Sequence, residues 1–545
     1  MLQKFRTLFA DVTPRLVLVA IFASLGSVSQ GFDSAWWGNI LGATAFNDHF
    51  GSVTTVNADG SVSHSLSTQD ISLGTGLGMA FGMIGGISIA YPMEHWGRRK
   101  SLWIIASVFL VGIIIEAVAT IPASYVCLIV GKCIVSMGTG LSAGSICAYL
   151  SECSPASVRG ILVAVYINIQ TVGSICGEIV VYCVINRTNS GNWLYPICMQ
   201  AIFPILFLIG IPFLPESPRW LIAKGRVEEA EKEVRKLRNW TDEAVHQEVV
   251  QMAIACEEER LINVHYGWLD MWRGTHLKRT LIAIGMQCLQ QSQGLAFILS
   301  YLVLTLQRLG FDNSQLINFM MYIIQFVCSG TSIITSDWIG RRKVLLIGST
   351  VMAVTMFIIG GVVTYTENPT GGLGKLTLAM YLLWMFACAS SWLPVAFILG
   401  AEVPAQGLRD KTLSTSIWCS YGNGLLLIMG GPYIVDAGYG NIGAKIDYVF
   451  GAVSIIAVVW VYFMAPELKG RSLEEVDYMF QERVPSKDFH KFDTSAMIEQ
   501  RQQTAVAKGF DDDAIAGEVL SHPDVYHGNN NKTAAAAEVM QLENA

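Results

Sequence analysis

Five stretches, Leu16 to Ala23, Leu102 to Ile115, Ile161 to Ile185, Val344 to Val363 and Val449 to Ala465, run on in apolar residues with scarcely a charge among them. A bilayer core of roughly 30 Å takes about 20 helical residues to cross, whereas soluble cores rarely need apolar runs of that length. Composition agrees: 52% of the 545 residues are hydrophobic and only 14% charged, against about a quarter charged in ordinary soluble domains. The chain is read as an all-α protein that crosses a membrane many times.

Net charge is −7 and much of the acid, such as Asp511, Asp512 and Asp513, sits in the tail, which excludes an electrostatic footprint for nucleic acid. The twelve cysteines fall mostly in apolar stretches without a CxxC pair, as small core residues of a reduced protein would. No nucleophile, metal or phosphate-loop constellation suggests an enzyme or a cofactor. No small-residue cleavage site follows the first apolar run, so it reads as a retained helix rather than a signal peptide.

Twelve spans are expected near 16–40, 70–92, 102–121, 125–150, 161–185, 193–214, 280–306, 316–335, 344–364, 376–401, 412–435 and 446–465. They divide the chain into an N-terminus (1–15), a six-helix half (16–214), a charged helical linker (215–279), a second half (280–465) and a mostly disordered tail (466–545). Basic residues set the orientation. Arg98, Arg99, Lys100, Arg159, the linker, Arg341, Arg342, Lys343, Arg409 and Lys411 share one face, which places both termini in the cytoplasm. The segment from Gly42 to Gln69 holds no Lys or Arg and reads as an outside loop. Asn186, in Asn186-Arg187-Thr188, is a glycosylation candidate on that side; the sequons at Asn239 and Asn531 fall inside.

Three features occur twice. Gly97-Arg98-Arg99-Lys100 recurs at Gly340-Arg341-Arg342-Lys343, Glu152 with Arg159 recurs at Glu402 with Arg409, and Pro215-Glu216 recurs at Pro466-Glu467, at offsets of 243, 250 and 251 residues. Duplicated halves holding a solute between them are a common plan for transporters. The same residues carry a resemblance. Glu94 to Arg99 and Asp337 to Arg342 look like the acid-x-x-Gly-Arg-Arg loops of the major facilitator superfamily. Pro215-Glu216-Ser217-Pro218-Arg219-Trp220-Leu221 and the run from Pro466 to Glu475 resemble the signatures that follow the sixth and twelfth helices of its sugar porters.

The resemblance implies two pseudo-symmetric six-helix halves, a small-molecule substrate, protons as coupling ions, a monomer in the plasma membrane and no cofactor. It also implies a cytoplasmic gate of ion pairs, here Glu94, Arg98, Arg99, Glu152, Arg159, Asp337, Arg341, Arg342, Glu402 and Arg409. The bland alternative is that these charges anchor helices to the interface. By helical rise, Asp33 lies about 25 Å above the inner face and Lys132 about 10 Å below the outer one, so they can pair. Proton-coupled sugar porters carry an acid and an Arg at the corresponding positions. Lys departs from that pattern, and a static pair is the competing reading. Glu116 is expected at the outer interface, while Glu178 could lie there or on a proton path.

For the substrate, Gln290 and Gln291 look like the paired glutamines of helix seven, and amides match sugar hydroxyls as donors and acceptors. Tyr301 and Phe397 take aromatic positions of the family. Asn168, beside Ile167, and Ser420 stand near positions where the family carries amides, and Ala296 replaces another. These departures leave three functions open: proton-coupled sugar import, with Tyr166-Ile167-Asn168 nearest the α-glucoside porters; transport of a polyol, cyclic acid or specialised metabolite; or a sugar sensor that signals through its tail.

Overall fold

The computed structural model describes residues 13–489, apart from 57–61, 122–123, 156–158, 239, 312, 367–370, 437, 470 and 472, and also residue 492. Twelve long helices or broken helix pairs follow one another. The first half holds α1 (Pro14–Ile40), α2 (Thr68–Trp96), α3 (Arg98–Ala119), α4 (Tyr125–Cys153), α5 (Arg159–Val184) and α6 (Gly191–Phe213). The second holds α7 (Gly274–Arg308), α8 (Ser314–Ile339), α9 (Arg341–Tyr365), α10 (Gly371–Gly400), α11 (Arg409–Val435) and α12 (Ile446–Met464). Among the described residues nine are long and apolar enough to cross a membrane. The other three, α5, α8 and α11, have 26, 26 and 27 residues, which at about 1.5 Å per residue also span the hydrocarbon.

Local chemistry starts these helices where they start. Thr13 caps α1, its Oγ1 accepting from the Leu16 N–H at 3.1 Å, with Pro14 fixing the first turn. Ser67 and Asp70 form a reciprocal capping box at the head of α2. Two helices are broken mid-course. Residues 291–295 of α7 form a π-helical turn around Gly294, whose φ of 106° an L side chain would resist. In α10 the chain departs from helix at Ser391 (φ −125°, ψ −76°) before restarting at Trp392.

Packing inside each half depends on close backbone approach. At Gly31 of α1 an added Cβ would overlap the carbonyl oxygen of Gln170 on α5, so α1 and α5 touch main chain to main chain. That contact also fixes the height of Asp33, two residues on. Polar side chains at this level bond into the bundle: Ser174 Oγ donates to the Gly31 carbonyl at 3.0 Å.

Two segments carry more structure than the sequence suggests. The loop expected from 42 to 69 holds the helix Thr44–Phe50 and an antiparallel hairpin, Val53–Val56 with Val62–Ser65. Phe46 and Phe50 pack against Trp193 at centroid distances of 6.3 and 5.8 Å, so aromatic burial pins it to α6. The linker forms helices Pro218–Ala223, Val227–Leu237 and Asp242–His265, whose Leu221, Ala230, Val234, Val245 and Val249 make a small core of their own. Arg238 ties it to the first half by donating to the Cys153 carbonyl at 2.9 Å. The tail expected beyond Pro466 contains a helix, Leu473–Gln481, and lies outside the described residues from 493 onward.

The α1–α5 contact gives a direct test. Gly31→Ala is expected to lower the thermal midpoint of purified protein by an amount corresponding to about 1–3 kcal/mol of overpacking. Gly144→Ala on α4, where an added methyl meets nothing within 4 Å, should leave it unchanged. Equal midpoints for the two variants would refute the close approach.

Candidate functional site

The structure brings Asp33 and Lys132 together. Lys132 Nζ lies 2.6 Å from Asp33 Oδ1 and 3.3 Å from the Asp33 carbonyl, and the two side chains are 5% and 6% exposed. Trp36 Nε1 donates to the same carboxylate oxygen at 3.3 Å. The ammonium lies 5.5 and 5.3 Å from the ring centroids of Trp36 and Trp37, within reach of their π faces. An intramembrane charge persists when it is paired, and removing one partner of such a pair costs roughly 3–5 kcal/mol. The indoles were not singled out from the sequence; their spacing after Asp33 on a helix, three and four residues, was the available signal.

Glu116, three residues before the end of α3, is fully buried, and its Oε2 accepts from Gln200 Nε2 of α6 at 2.5 Å. The apolar run around it hid this, because only the fold shows which neighbour supplies the amide.

The paired glutamines sit at the break in α7. Gln290, 2% exposed, donates through Nε2 to the carbonyls of Trp392 and Leu393 at 3.0 and 3.2 Å. It therefore ties the break of α7 to the restart of α10 at Trp392. Tyr301 and Ser420 are likewise engaged by backbone, donating to Ile428 and Gln287 carbonyls at 3.0 and 3.2 Å. Asn168 Oδ1 accepts from Ser329 Oγ of α8 at 2.9 Å, across the halves. Gln291 is half-buried and Phe397 is exposed. Asn423 of α11, which sequence reasoning passed over, donates to Ser292 Oγ at 2.7 Å, next to Gln291. The side chain of Ile167 lies outside the described residues.

At the end of the bundle that carries the Gly-Arg-Arg turns, the repeated motifs prove to be one device built twice. Gly97 and Gly340 hold φ values of 94° and 105° between consecutive helices. The Glu216 carboxylate accepts from the backbone N–H groups of Arg98 and Arg99 at 2.8 and 3.1 Å. Glu467 does the same for Arg341 and Arg342 at 3.0 and 3.2 Å. Each carboxylate thus caps a helix N-terminus, where unpaired donors and the helix dipole favour negative charge. A Cβ on Gly97 or Gly340 would come within 2.7 or 2.5 Å of the capping oxygen. The Pro-Glu repeat carries this role, which sequence alone did not reveal.

The arginine side chains reach the acids of the next helix. Arg98 grips Glu152 through Nε and Nη2 at 2.8 and 2.7 Å, a bidentate pair that Ser217 Oγ joins. Arg341 Nη2 lies 3.4 Å from Glu402. Arg99 and Arg342 donate to the carbonyls of Pro212 and Tyr462 at 2.7 and 2.6 Å. Both ion pairs stay inside one half, α3 to α4 and α9 to α10, so neither bridges the halves as a closed gate would. The Glu94 side chain is exposed, and Arg409 Nε has no hydrogen-bond partner among the described residues. The side chains of Arg159 and Asp337 lie outside the described residues.

The opposite end, which carries the hairpin, holds further bonds between the halves. Ser72 Oγ donates to the Met429 carbonyl at 2.7 Å, Gln307 Nε2 to the Gly42 carbonyl at 3.2 Å, and Thr68 Oγ1 to Asp436. A cavity of about 430 Å³ lined by Tyr301, Arg308, Thr68 and Asp436 lies at this end, away from Gln290 and Gln291. Asn186, exposed, follows α5 on the same side.

Paired six-helix halves, the second holding two broken helices that face each other, have the architecture of a major facilitator-type transporter. The family model described as sugar (and other) transporter matches residues 19–480, and the chain belongs to that family. It is 27% identical over 498 residues to the major facilitator-type transporter ecdD of Aspergillus rugulosus, covering 87% of this chain and 89% of that one. It is 28% identical over 479 residues to the low-affinity glucose transporter of Kluyveromyces lactis, covering 86% and 82%. The inward-open structure of the xylose transporter XylE from E. coli superimposes with a TM-score of 0.70 at 22% identity, covering 85% of this chain and 99% of that one.

The capping role makes a prediction. Glu216→Ala should destabilise the purified protein by about 1–2 kcal/mol, and Glu216→Gln, which keeps an acceptor, by less. Thermal unfolding checks the order; a Gln variant as unstable as the Ala variant would assign the effect to charge alone.

Proposed function

We propose that this protein moves a sugar across a membrane by alternating access and couples it to protons through Asp33, with the Gly-Arg-Arg end and both termini in the cytoplasm. The observation that carries the reading is the buried Asp33–Lys132 pair, since bare charge in that position has little structural use that an apolar pair would not serve better. A proton taken onto Asp33 ends the ion pair. Lys132 then keeps the Asp33 carbonyl and the two indole faces, and α1 loses its ion pair with α4. Lys in place of Arg holds its partner as a point charge rather than a fork, which makes the tie easier to break and remake.

The sugar is supported by family membership, by similarity to a relative named as a glucose transporter, and by the groups beside the two breaks. Gln291, Asn423, Ser292 and Asn168 offer donors and acceptors, and Phe397 an aromatic face. Gln290 keeps its amide nitrogen on the α10 carbonyls in this conformation, so it shapes the site as well as lining it. Contacts gathered at the hairpin end, with Arg409 Nε unbonded at the other, fit an inward-facing state. In that state the gate ion pairs within each half act as hinges' anchors, and the cross-half latch is open. The basic residues at the Gly-Arg-Arg end support the cytoplasmic assignment, a monomer suffices for the mechanism, and Asn186 is placed for glycosylation outside.

The test is uptake of labelled sugars and polyols by transport-deficient cells expressing the chain. Wild type should concentrate at least one sugar, and Asp33→Asn should abolish concentration while retaining exchange of preloaded substrate. Accumulation by Asp33→Asn as high as wild type would remove Asp33 from coupling, and uptake confined to polyols would reassign the solute.

A further inference from the structure

One buried carboxylate at the hairpin end touches both halves. Glu178 of α5 is 1% exposed, and its Oε1 accepts from Asn39 Nδ2 of α1 and from Asn318 Nδ2 of α8, each at 2.6 Å. Asn39 and Asn318 are themselves 0% and 2% exposed. Asn39 is held in place by a second bond, Nδ2 to the Ala35 carbonyl at 2.8 Å. Among the described residues, the Oδ1 atoms of both asparagines are buried without a hydrogen-bond partner. Both amides have thus turned their donors to one oxygen and, among the described residues, left their own acceptors unpaired, so the Glu178 carboxyl is the group that orients them.

We propose that Glu178 is the latch of the hairpin end: it binds Asn318 across the halves only while that end is closed, and so sets the balance between the two access states. Asn39 and Glu178 belong to the same half and move together, so opening breaks the Asn318 bond alone. Two amides suit a contact that must release in every cycle. They satisfy the carboxylate without the deep well that a buried lysine or arginine partner would create. Among the described residues, the neighbouring cross-half bonds of Ser72 and Gln307 join neutral groups to backbone carbonyls, and Asp436 is half-buried. Glu178 is the fully buried carboxyl group of that set and takes bonds from both halves, which gives it the largest share of the difference between closed and open.

The latch rests on alternating access but on neither the solute nor the coupling ion, and its test uses no substrate. A single reporter, Ser72→Cys on α2, is placed in the full chain after the native cysteines are replaced; Ser72 is 1% exposed while the hairpin end is closed. Labelling by a membrane-impermeant maleimide from the hairpin side then reports opening. Asn318→Asp sets two carboxylates against each other, and labelling is expected to rise several-fold. Adding Glu178→Gln restores one donor facing one carboxylate, and labelling should return close to the reference. Glu178→Gln alone, nearly isosteric, should raise labelling by a smaller factor, and it carries the test if Asn318→Asp fails to reach the membrane. Unchanged labelling in Asn318→Asp, or in Glu178→Gln where the former does not express, overturns the latch. So does failure of the double variant to restore protection while its parent Asn318→Asp is labelled. Loss of sugar uptake in cells whose labelling pattern is as expected would count against the proposed function and leave the latch standing.

Discussion

An ion pair in a bundle meant for hydrocarbon constrains everything around it. Asp33 and Lys132 can keep their charges only if they remain within bonding distance, so α1 and α4 must be held side by side at one height. The glycine at 31 lets α1 sink against α5 until main chains touch, which sets that height. The two indoles that follow Asp33 close over the ammonium and supply its remaining contacts. Sequence, packing and charge meet here, and the proposed mechanism is the consequence of breaking the pair with a proton.

The two ends of the molecule are built on different physics. At the Gly-Arg-Arg end, glutamates from distant segments cap helix starts and arginines clamp acids of the next helix, all within one half. Such a network makes each half a rigid body. At the hairpin end, the contacts cross between halves and are mostly single hydrogen bonds. Rigid halves joined by bonds of modest strength, about 1 kcal/mol each when neutral, are what a rocking motion between two states of similar free energy requires.

The helices and the duplicated plan were legible because hydropathy and the repeat of Gly-Arg-Arg, Glu-x-x-x-x-x-x-Arg and Pro-Glu act over long stretches and need no knowledge of neighbours. The Asp33–Lys132 contact was also legible, since helical rise alone puts both at one depth. Partner choice was not. Glu116 read as interfacial from its place near the end of an apolar run, and nothing in the sequence showed that Gln200 of a remote helix bonds it in a buried position. Gln290, Tyr301 and Ser420 read as substrate ligands, and the fold adds what the sequence did not show, that each donates to a backbone carbonyl of a neighbouring helix. The gate arginines read as members of a cytoplasmic gate, and the geometry supplies their partners, Glu152 for Arg98 and Glu402 for Arg341, each inside one half. In each case the residue type was right for the chemistry and the missing information was which helix stands opposite.

The central claim, that solute movement and proton movement share one step at Asp33, is tested most directly on the wild-type chain. Addition of the transported sugar to de-energised cells in lightly buffered medium, at the moment uptake begins, should make the medium alkaline as protons enter with the sugar. The initial rates of proton and sugar entry should then hold a fixed ratio across sugar concentrations. Sugar entry at full rate with no change in external pH would contradict the account, and the buried pair would then be a fixture of helix packing alone.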